Sequence, residues 1–535
     1  MRITGALSSS KFVTTVLLNS INEHMITKLH SAGLRGVEAV EVEVEVNSPG
    51  RGVPRMTIVG LPDAAVRESA ERVSSAVSAS ALPKDDGTIT VNLAPADLKK
   101  EGPSFDLPIA LAVVACAEGV DLKGAGDCQI IGELALDGSV RPVKGILSAA
   151  IEAKTRGRKR LLVPLENACE AAAVTGIEVF GVSGLRQAWG FLCGEEKLEP
   201  AVARISPYSR AEPYAVDLGE VQGQKHVKRA LEIAAAGSHN ILMVGPPGTG
   251  KSMLAKRMPT ILPEMTEREA METTRIHSIS GQLAAGSGLL RSRPFRSPHH
   301  TISNAGLLGG GSNPGPGEIS LAHNGVLFLD ELPEFRRQTL EVLRQPLEDG
   351  KVTISRAAGT LAFPSKVLLI GSLNPCPCGY FGDPSRSCSC SLRQVERYRS
   401  KISGPLLDRM DLHIEVPLVE FKDLSSRVPA EPSSSVRQRV SECRERQRSR
   451  FGKSSATRVN SEMTPKEVRL FCEMDPESSD LMEQAMSRLG LSARGYDRIL
   501  KVARTVADLE GSQRVLPEHL LEAIQFRSLD RKLAG

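Results

Sequence analysis

ILMVGPPGTGKS, residues 241–252, is the stretch that decides the fold. Ile241–Val244 reads as a short apolar strand. It runs directly into a loop made of Gly245, Pro246, Pro247, Gly248, Thr249 and Gly250, and Lys251-Ser252 then opens a run that suits a helix. The pattern G-x-x-x-x-G-K-[ST] in a strand–loop–helix setting is a phosphate-binding loop. Its glycines let backbone N–H groups wrap phosphate oxygens, and the helix N-terminus adds partial positive charge. Lys251 is expected to reach the β- and γ-phosphates of ATP, and Ser252 to hold the accompanying Mg²⁺.

Outward from there, VLFLDE (326–331) is a continuous apolar run ending in two carboxylates. A buried parallel strand has this character, and its C-terminal end lies at the ligand crevice of an open α/β sheet. Asp330 would orient Mg²⁺, and Glu331 would polarise the attacking water. A third apolar run, Val367–Ile370, leads to Asn374, placed either to touch the γ-phosphate or to make an Asx-turn before Pro375. Between Lys251 and Asp330 lies an insertion. Its segment Gly306–Gly317 holds six glycines and two prolines in twelve residues, which predicts an irregular loop.

Composition bounds the rest. The chain has 535 residues, of which 41% are hydrophobic, enough for sizeable cores in about three to four domains. Lys plus Arg is 67 and Asp plus Glu is 63. That balance is too mild to mark a polyanion binder, so any such contact must come from local patches. No apolar run reaches about 18 residues, so no membrane span is expected. Ten cysteines are too dilute for a disulfide scaffold, which points to a reducing, cytoplasmic setting. Four of them cluster as Cys376-Pro-Cys378 and Cys388-Ser-Cys390. Four thiolates can close a structural zinc site; buried structural thiols or a redox pair are the other readings.

The chain divides by pattern. Residues 1–24 read as a loose extension, with Met25 an alternative start. Residues 25–195 mix strand and helix: Val40–Val46 alternates strictly, Ile89–Leu93 is a second strand, and Asp106–Cys116 is a buried helix. Residues 196–216 carry Pro200, Pro207 and Pro213 and read as a linker. Residues 217–427 form the phosphate-loop unit. Residues 428–535 are helical and charged; within them, 436–460 hold seven Arg and one Lys against two Glu, either a solvated helix face or a polyanion contact.

This succession of phosphate loop, Asp-Glu strand, polar sensor strand and helical end resembles an AAA+ ATPase. Within that class it resembles the magnesium-chelatase-like ComM/YifB family. The matching segments are IVGLPD (58–63), VNLAPAD (91–97), FDLPIA (105–110), RSPHH (296–300), NPCPCG (374–379), GPLLDR (404–409) and SAR (492–494). The resemblance implies an α/β protein with a degenerate Lon-protease-like N-terminal domain, an AAA+ core with a parallel sheet, and a C-terminal helical lid. It implies a hexameric ring, with Arg409 as arginine finger and Arg494 as second sensor; Arg498 and Arg504 compete for the latter role. It also implies pore loops formed by the insertion and by a hairpin, Lys351–Arg356 with Thr360–Phe363. There Lys351 and Arg356 would contact DNA phosphates, the alternative being solvated loop charges.

The implied activity is that of an ATP-driven DNA helicase promoting branch migration during homologous recombination and natural transformation. The alternatives are a magnesium-chelatase-type motor subunit or a protein-remodelling AAA+ ATPase. In the N-terminal domain, Glu101–Ser104 resembles the nucleophile segment of Lon-type proteases. The position of the base, however, falls on Leu147, with Lys144 three residues earlier. A serine without a base in reach is no nucleophile, so Ser104 is expected to cap a helix and peptidase activity is not expected.

Overall fold

The computed structural model describes residues 26–529 apart from 50–51, 123–124, 204–213, 312–313, 357–358, 384–385, 420–429 and 453–456. The expected extension and the middle of the expected linker lie outside the described residues. The chain divides into two compact units, residues 1–206 with 278–289, and residues 207–277 with 290–535.

The first unit is built on seven strands: β1 (Ile26–Arg35), β2 (Glu38–Asn47), β3 (Arg55–Val59), β4 (Thr88–Ala94), β5 (Cys128–Ile130), β6 (Arg160–Pro164) and β7 (Glu178–Val182). Their order is β3-β4-β2-β1-β5-β6-β7, with β2 antiparallel to both its neighbours and the outer pairs parallel. The strict alternation in β2 has its physical reason here. Val42, Val44 and Val46 are fully buried, while Glu43 and Glu45 face the other way and share Lys28 at 3.0 and 2.6 Å. Helix α1 (Ala64–Ala79) is amphipathic; helix α2 (Asp106–Glu118) is apolar on every side and buried from Asp106 to Ala115. Its one early charge, Asp106, accepts from Arg72 Nε at 2.8 Å and from the Leu134 N–H at 3.3 Å.

Ser104 differs from expectation. It sits in a 3-10 turn, Pro103–Phe105, and α2 begins without a side-chain cap. Backbone pairing holds this turn instead: the Gly132 N–H donates to the Ser104 carbonyl at 2.9 Å. Leu147 is fully buried.

The second unit carries a five-stranded, all-parallel sheet. Its strands are β8 (Ile241–Val244), β9 (Phe295–Arg296), β10 (Val326–Leu329), β13 (Leu368–Leu373) and β14 (Leu412–Glu415); β11 (Lys351–Arg356) and β12 (Gly359–Pro364) form a separate antiparallel hairpin. The order is β9-β10-β13-β8-β14. Every residue of β8, β10 and β13 is buried, as the continuous apolar runs require of central parallel strands. The glycine-rich segment is more regular than its composition suggests. A short helix, Asn304–Leu308, precedes a small ladder pairing Gly309–Gly310 with Gly315–Pro316. Glycine permits it, because a Cβ on Gly309 would come within 2.2 Å of the Gly315 carbonyl oxygen.

Helices α3 (Lys225–Gly237) and α4 (Lys251–Ile261) flank the sheet, and α5 (Ser433–Phe451), α6 (Ala493–Glu510) and α7 (Pro517–Gln525) belong to the same unit. Val436 and Val440 of α5 and Ile499 and Val502 of α6 share one buried core with Ile233, Met243 and Ile370. The arginines of α5 are largely consumed internally. Arg439 pairs with Glu232 and Glu431, Arg444 donates to the Ala235 carbonyl, Arg446 to the Asp508 carbonyl, and Arg450 pairs with Asp508. Among the described residues, no helix is long and apolar enough to cross a membrane.

Candidate functional site

An all-parallel sheet brings the C-terminal ends of its strands to one edge. The phosphate loop follows β8, Asp330-Glu331 follows β10, and Asn374 follows β13, which lies between the other two. The three segments therefore meet in one crevice. Gly250, the residue ahead of helix α4, has left-handed backbone (φ +84°), and the helix has no side-chain cap, so its first N–H groups stay available to an anion. Gly248 also has positive φ (+83°), and a Cβ on Gly245 would meet the Val416 carbonyl oxygen at 2.3 Å. The Gln224 amide, outside the motif, secures the loop by donating to the Thr249 carbonyl at 2.9 Å.

Lys251 lies inside this cradle. Its ammonium donates to the carbonyls of Gly245 (2.7 Å) and Pro246 (2.9 Å) and to Asn374 Oδ1 (3.1 Å). Burial lowers its pKa from the usual lysine value, against the raising pull of Asp330 and Glu331. Ser252 Oγ donates to Asp330 Oδ2 at 2.6 Å. A hydroxyl and a carboxylate converging on one point beside the loop are the hard oxygen donors that Mg²⁺ takes, so the residues fit an Mg²⁺–nucleotide. Asp330 is held in turn by the Ser372 hydroxyl, and the Glu331 N–H donates to Asp330 Oδ1 at 3.1 Å. Glu331 itself is exposed and adopts left-handed backbone (φ +52°), uncommon for a residue with a side chain and a mark of sites where geometry overrides local preference. Sequence reading missed Ser372 and Gln224. The signal for Ser372 was a lone hydroxyl inside the apolar run LLIGSL.

Arg409 and Arg494 are not brought to this crevice. Both line a separate cavity of about 1470 Å³, together with Arg498, Lys501 and Arg444, and none of the phosphate-loop residues, Asp330, Glu331 or Asn374 lines it. Arg409 donates to the Arg344 carbonyl (3.1 Å) and the Pro405 carbonyl (2.8 Å) and pairs with Glu348. Arg494 is exposed at the first turn of α6. Its two competitors separate. Arg498 lines the same cavity, 3.8 Å from Asp411, whereas Arg504 is 1% exposed and donates to Asp508 and to the Ser512 and Gln513 carbonyls, a structural role. Burial would raise the Asp411 carboxyl, but the hydrogen bond to His239 and the charges of Arg498 and Lys501 outweigh it and hold its pKa at about 2.

Within the insertion, two arginines ahead of the glycine-rich segment are spent on structure. Arg293 donates to the Pro263 and Asn324 carbonyls, each at 2.6 Å, and Arg296 forms two 2.6 Å bonds to Glu318. Lys351 is exposed at the start of β11. Arg356 closes the hairpin opposite Gly359, and its side chain lies outside what is described. The four clustered cysteines converge: all their sulfurs lie within 4.8 Å of one another.

Similarity to known proteins agrees with this geometry. Family models for magnesium chelatase match in three pieces: "Subunit ChlI of Mg-chelatase" at residues 42–167, "Magnesium chelatase, subunit ChlI" at 217–424, and "Magnesium chelatase, subunit ChlI C-terminal" at 430–527. Competence protein ComM of Haemophilus influenzae is 43% identical over 509 residues, 94% of this chain and 98% of that protein. Protein YifB of Escherichia coli is 43% identical over 510 residues, 94% of this chain and 97% of that one. The chain belongs to the magnesium-chelatase-like ComM/YifB family. As a ComM/YifB family member it carries an AAA+ ATPase-type core, and ATP with Mg²⁺ is the ligand such a core is built for. Magnesium-chelatase subunit ChlI of Mesostigma viride is 23% identical over 210 residues, 51% of that protein. The likeness to ComM and YifB runs nearly end to end in one alignment, whereas the match to this chelatase subunit covers 39% of the chain.

Proposed function

We propose that this protein is an ATP-driven DNA motor that works as a hexameric ring and moves branch points of recombination intermediates while incoming DNA is integrated. In this reading, residues 25–195 are a degenerate Lon-like domain without peptidase activity, 217–427 the AAA+ core, and 428–535 the helical lid. The observation that carries it is the separation of the two halves of the site. Lys251, Ser252, Asp330, Glu331 and Asn374 share one crevice, while Arg409 and Arg494 share a different cavity of the same chain. A ring of copies joins the two by seating one chain's crevice against its neighbour's arginines. The name of the Haemophilus relative, a competence protein, supports DNA as the track.

In each site, Lys251 and the loop N–H groups would hold the phosphates, while Ser252 and Asp330 would hold Mg²⁺, which neutralises developing phosphate charge. Glu331 would take the proton of the attacking water, Asn374 would orient that water, and the neighbour's Arg409 would stabilise the γ-phosphoryl charge. Lys351 and Arg356 of the hairpin would touch the DNA backbone.

The test is ATP hydrolysis and branch-point movement on three-stranded DNA by the full chain, with Glu331→Gln as control. Expected are DNA-stimulated hydrolysis and ATP-dependent strand exchange, both lost in the variant. Hydrolysis by the wild type without movement of the branch would sink the motor reading. The three chelatase-named family matches favour a second reading, a motor subunit serving metal insertion into a porphyrin. Stimulation by chelatase partner subunits rather than by DNA would select it, and stimulation by unfolded protein would select a protein remodeller.

A further inference from the structure

We propose that Cys376, Cys378, Cys388 and Cys390 hold one structural zinc ion, and that this zinc knuckle braces the nucleotide crevice by fixing Asn374 and the phosphate loop together. The bracing half of this inference rests on the ATPase reading above; the metal half does not.

Geometry carries the metal site. Sulfur separations are 3.3 Å for Cys376–Cys378, 3.7 Å for Cys376–Cys388 and 3.5 Å for Cys378–Cys388. These are far too long for disulfide bonds, at about 2.05 Å. Four sulfurs about 2.3 Å from one ion in a tetrahedron stand about 3.8 Å apart, close to these three separations, and Cys390 Sγ lies within 4.8 Å of the other three sulfurs. Backbone N–H groups also aim at the sulfurs, as suits thiolates. The Cys378 N–H lies 3.4 Å from Cys390 Sγ, and the Cys390 N–H lies 3.4 Å from Cys388 Sγ. Cys376 is fully buried and the other three are partly so. Four protein ligands leave no open position, so the ion would be structural rather than catalytic.

The knuckle grows directly out of the site. Asn374, bonded to Lys251, stands two residues before Cys376. Between them the Pro375 carbonyl accepts from Arg399 Nε at 3.1 Å, and the Arg399 guanidinium stands 5.2 Å from the Phe381 ring. On the other side, Gly379 donates to the Cys376 carbonyl at 3.0 Å and lies against the phosphate loop. A Cβ there would come within 2.6 Å of Pro247 Cδ, and its φ of +89° suits only glycine. One cluster thus sets the position of a polar group on the γ-phosphate side and of a loop residue on the other.

The experiment uses the purified full chain. Zinc is measured by elemental analysis, and accessible thiols are counted before and after mercurial displacement. One zinc per chain, with four thiols released alongside it, is expected. No zinc, with these thiols freely reactive or joined as disulfides, overturns the site. Cys378→Ser, which should lose the zinc, exchanges a partly buried thiol for a hydroxyl and can unfold the chain, so reconstitution of the wild type with cobalt(II) provides a second readout: the intense absorption of a tetrahedral tetrathiolate is expected, and an octahedral spectrum overturns the ligand set. Gly379→Ala then tests the brace. One zinc and retained nucleotide binding with at least a tenfold loss of kcat supports it; one zinc with unchanged kcat overturns it. A wild-type chain that holds one zinc but hydrolyses no ATP would overturn the ATPase reading while supporting the metal site.

Discussion

The Lys251 ammonium donates to Asn374 Oδ1 across 3.1 Å, joining the phosphate loop to the tip of the neighbouring strand. In the proposed mechanism this contact is exchanged for phosphate oxygens, and Asn374 turns to the attacking water. Asn374→Ala should lower kcat roughly 10²-fold, the usual loss when one preorganised polar contact to a developing charge is removed. Nucleotide affinity should change little. Steady-state hydrolysis alongside fluorescent-nucleotide binding separates the two, and a loss confined to binding would remove Asn374 from the chemical step.

Arg409→Ala and Arg494→Ala should each inactivate a homogeneous preparation, the former by about 10³-fold or more, as arginine fingers do. Each should regain activity when mixed with Lys251→Ala, because a mixed ring contains junctions with one intact crevice and one intact cavity. Mixtures as inactive as their components would place these arginines outside the neighbour's site.

Asp411 governs part of the acid stability of the second unit. Its folded-state pKa of about 2 lies below the unfolded value of about 3.9. The stabilisation is therefore fully present above about pH 4 and is lost as the pH falls toward 2. A tenfold difference in proton affinity between folded and unfolded chain is worth about 1.4 kcal/mol, so the contribution amounts to about 2–3 kcal/mol. Urea unfolding of wild type and Asp411→Asn across pH 2–6 should give curves that converge at the acid end; curves parallel throughout would refute the assignment.

Asp508 is the anion that two arginines share. It is 1% exposed, pairs with Arg450 and Arg504, and accepts from Asn460 Nδ2 at 2.8 Å. Asp508→Ala leaves a buried guanidinium without its counter-charge, and should cost about 3–5 kcal/mol in chemical denaturation. A cost under about 1 kcal/mol would mean that the arginines find other partners.

If Lys351 touches DNA phosphate, Lys351→Ala should weaken binding equally across sequences and reduce the slope of log affinity against log salt by about one. An unchanged slope would return Lys351 to the status of a solvated loop charge.

The sequence made the crevice readable because its parts are local: a loop motif, an apolar strand with two acids, and a polar residue after another strand. The parallel sheet then brings them together. Long-range geometry was not readable. Nothing in the spacing said that Arg504 would be buried against Asp508 while Arg494 stayed exposed, since both sit on one helix and differ only in the face they present. The basic stretch after residue 436 misled for the same reason: its charges meet partners on α3 and α6 that lie far away in the chain. Ser104 was read as a cap because that is what serine most often does before a helix, and long-range backbone pairing took over that task.

The core shared by α5, α6 and the sheet bears on how force could be made. Val440, Ile499 and Val506 are fully buried against the same interior as Ile233 and Met243, and close packing resists sliding because voids are costly. The C-terminal helices cannot swing like a flap without tearing that interior open. Within the second unit the C-terminal helices and the sheet therefore move together, and in the proposed ring a power stroke would displace that unit as one piece.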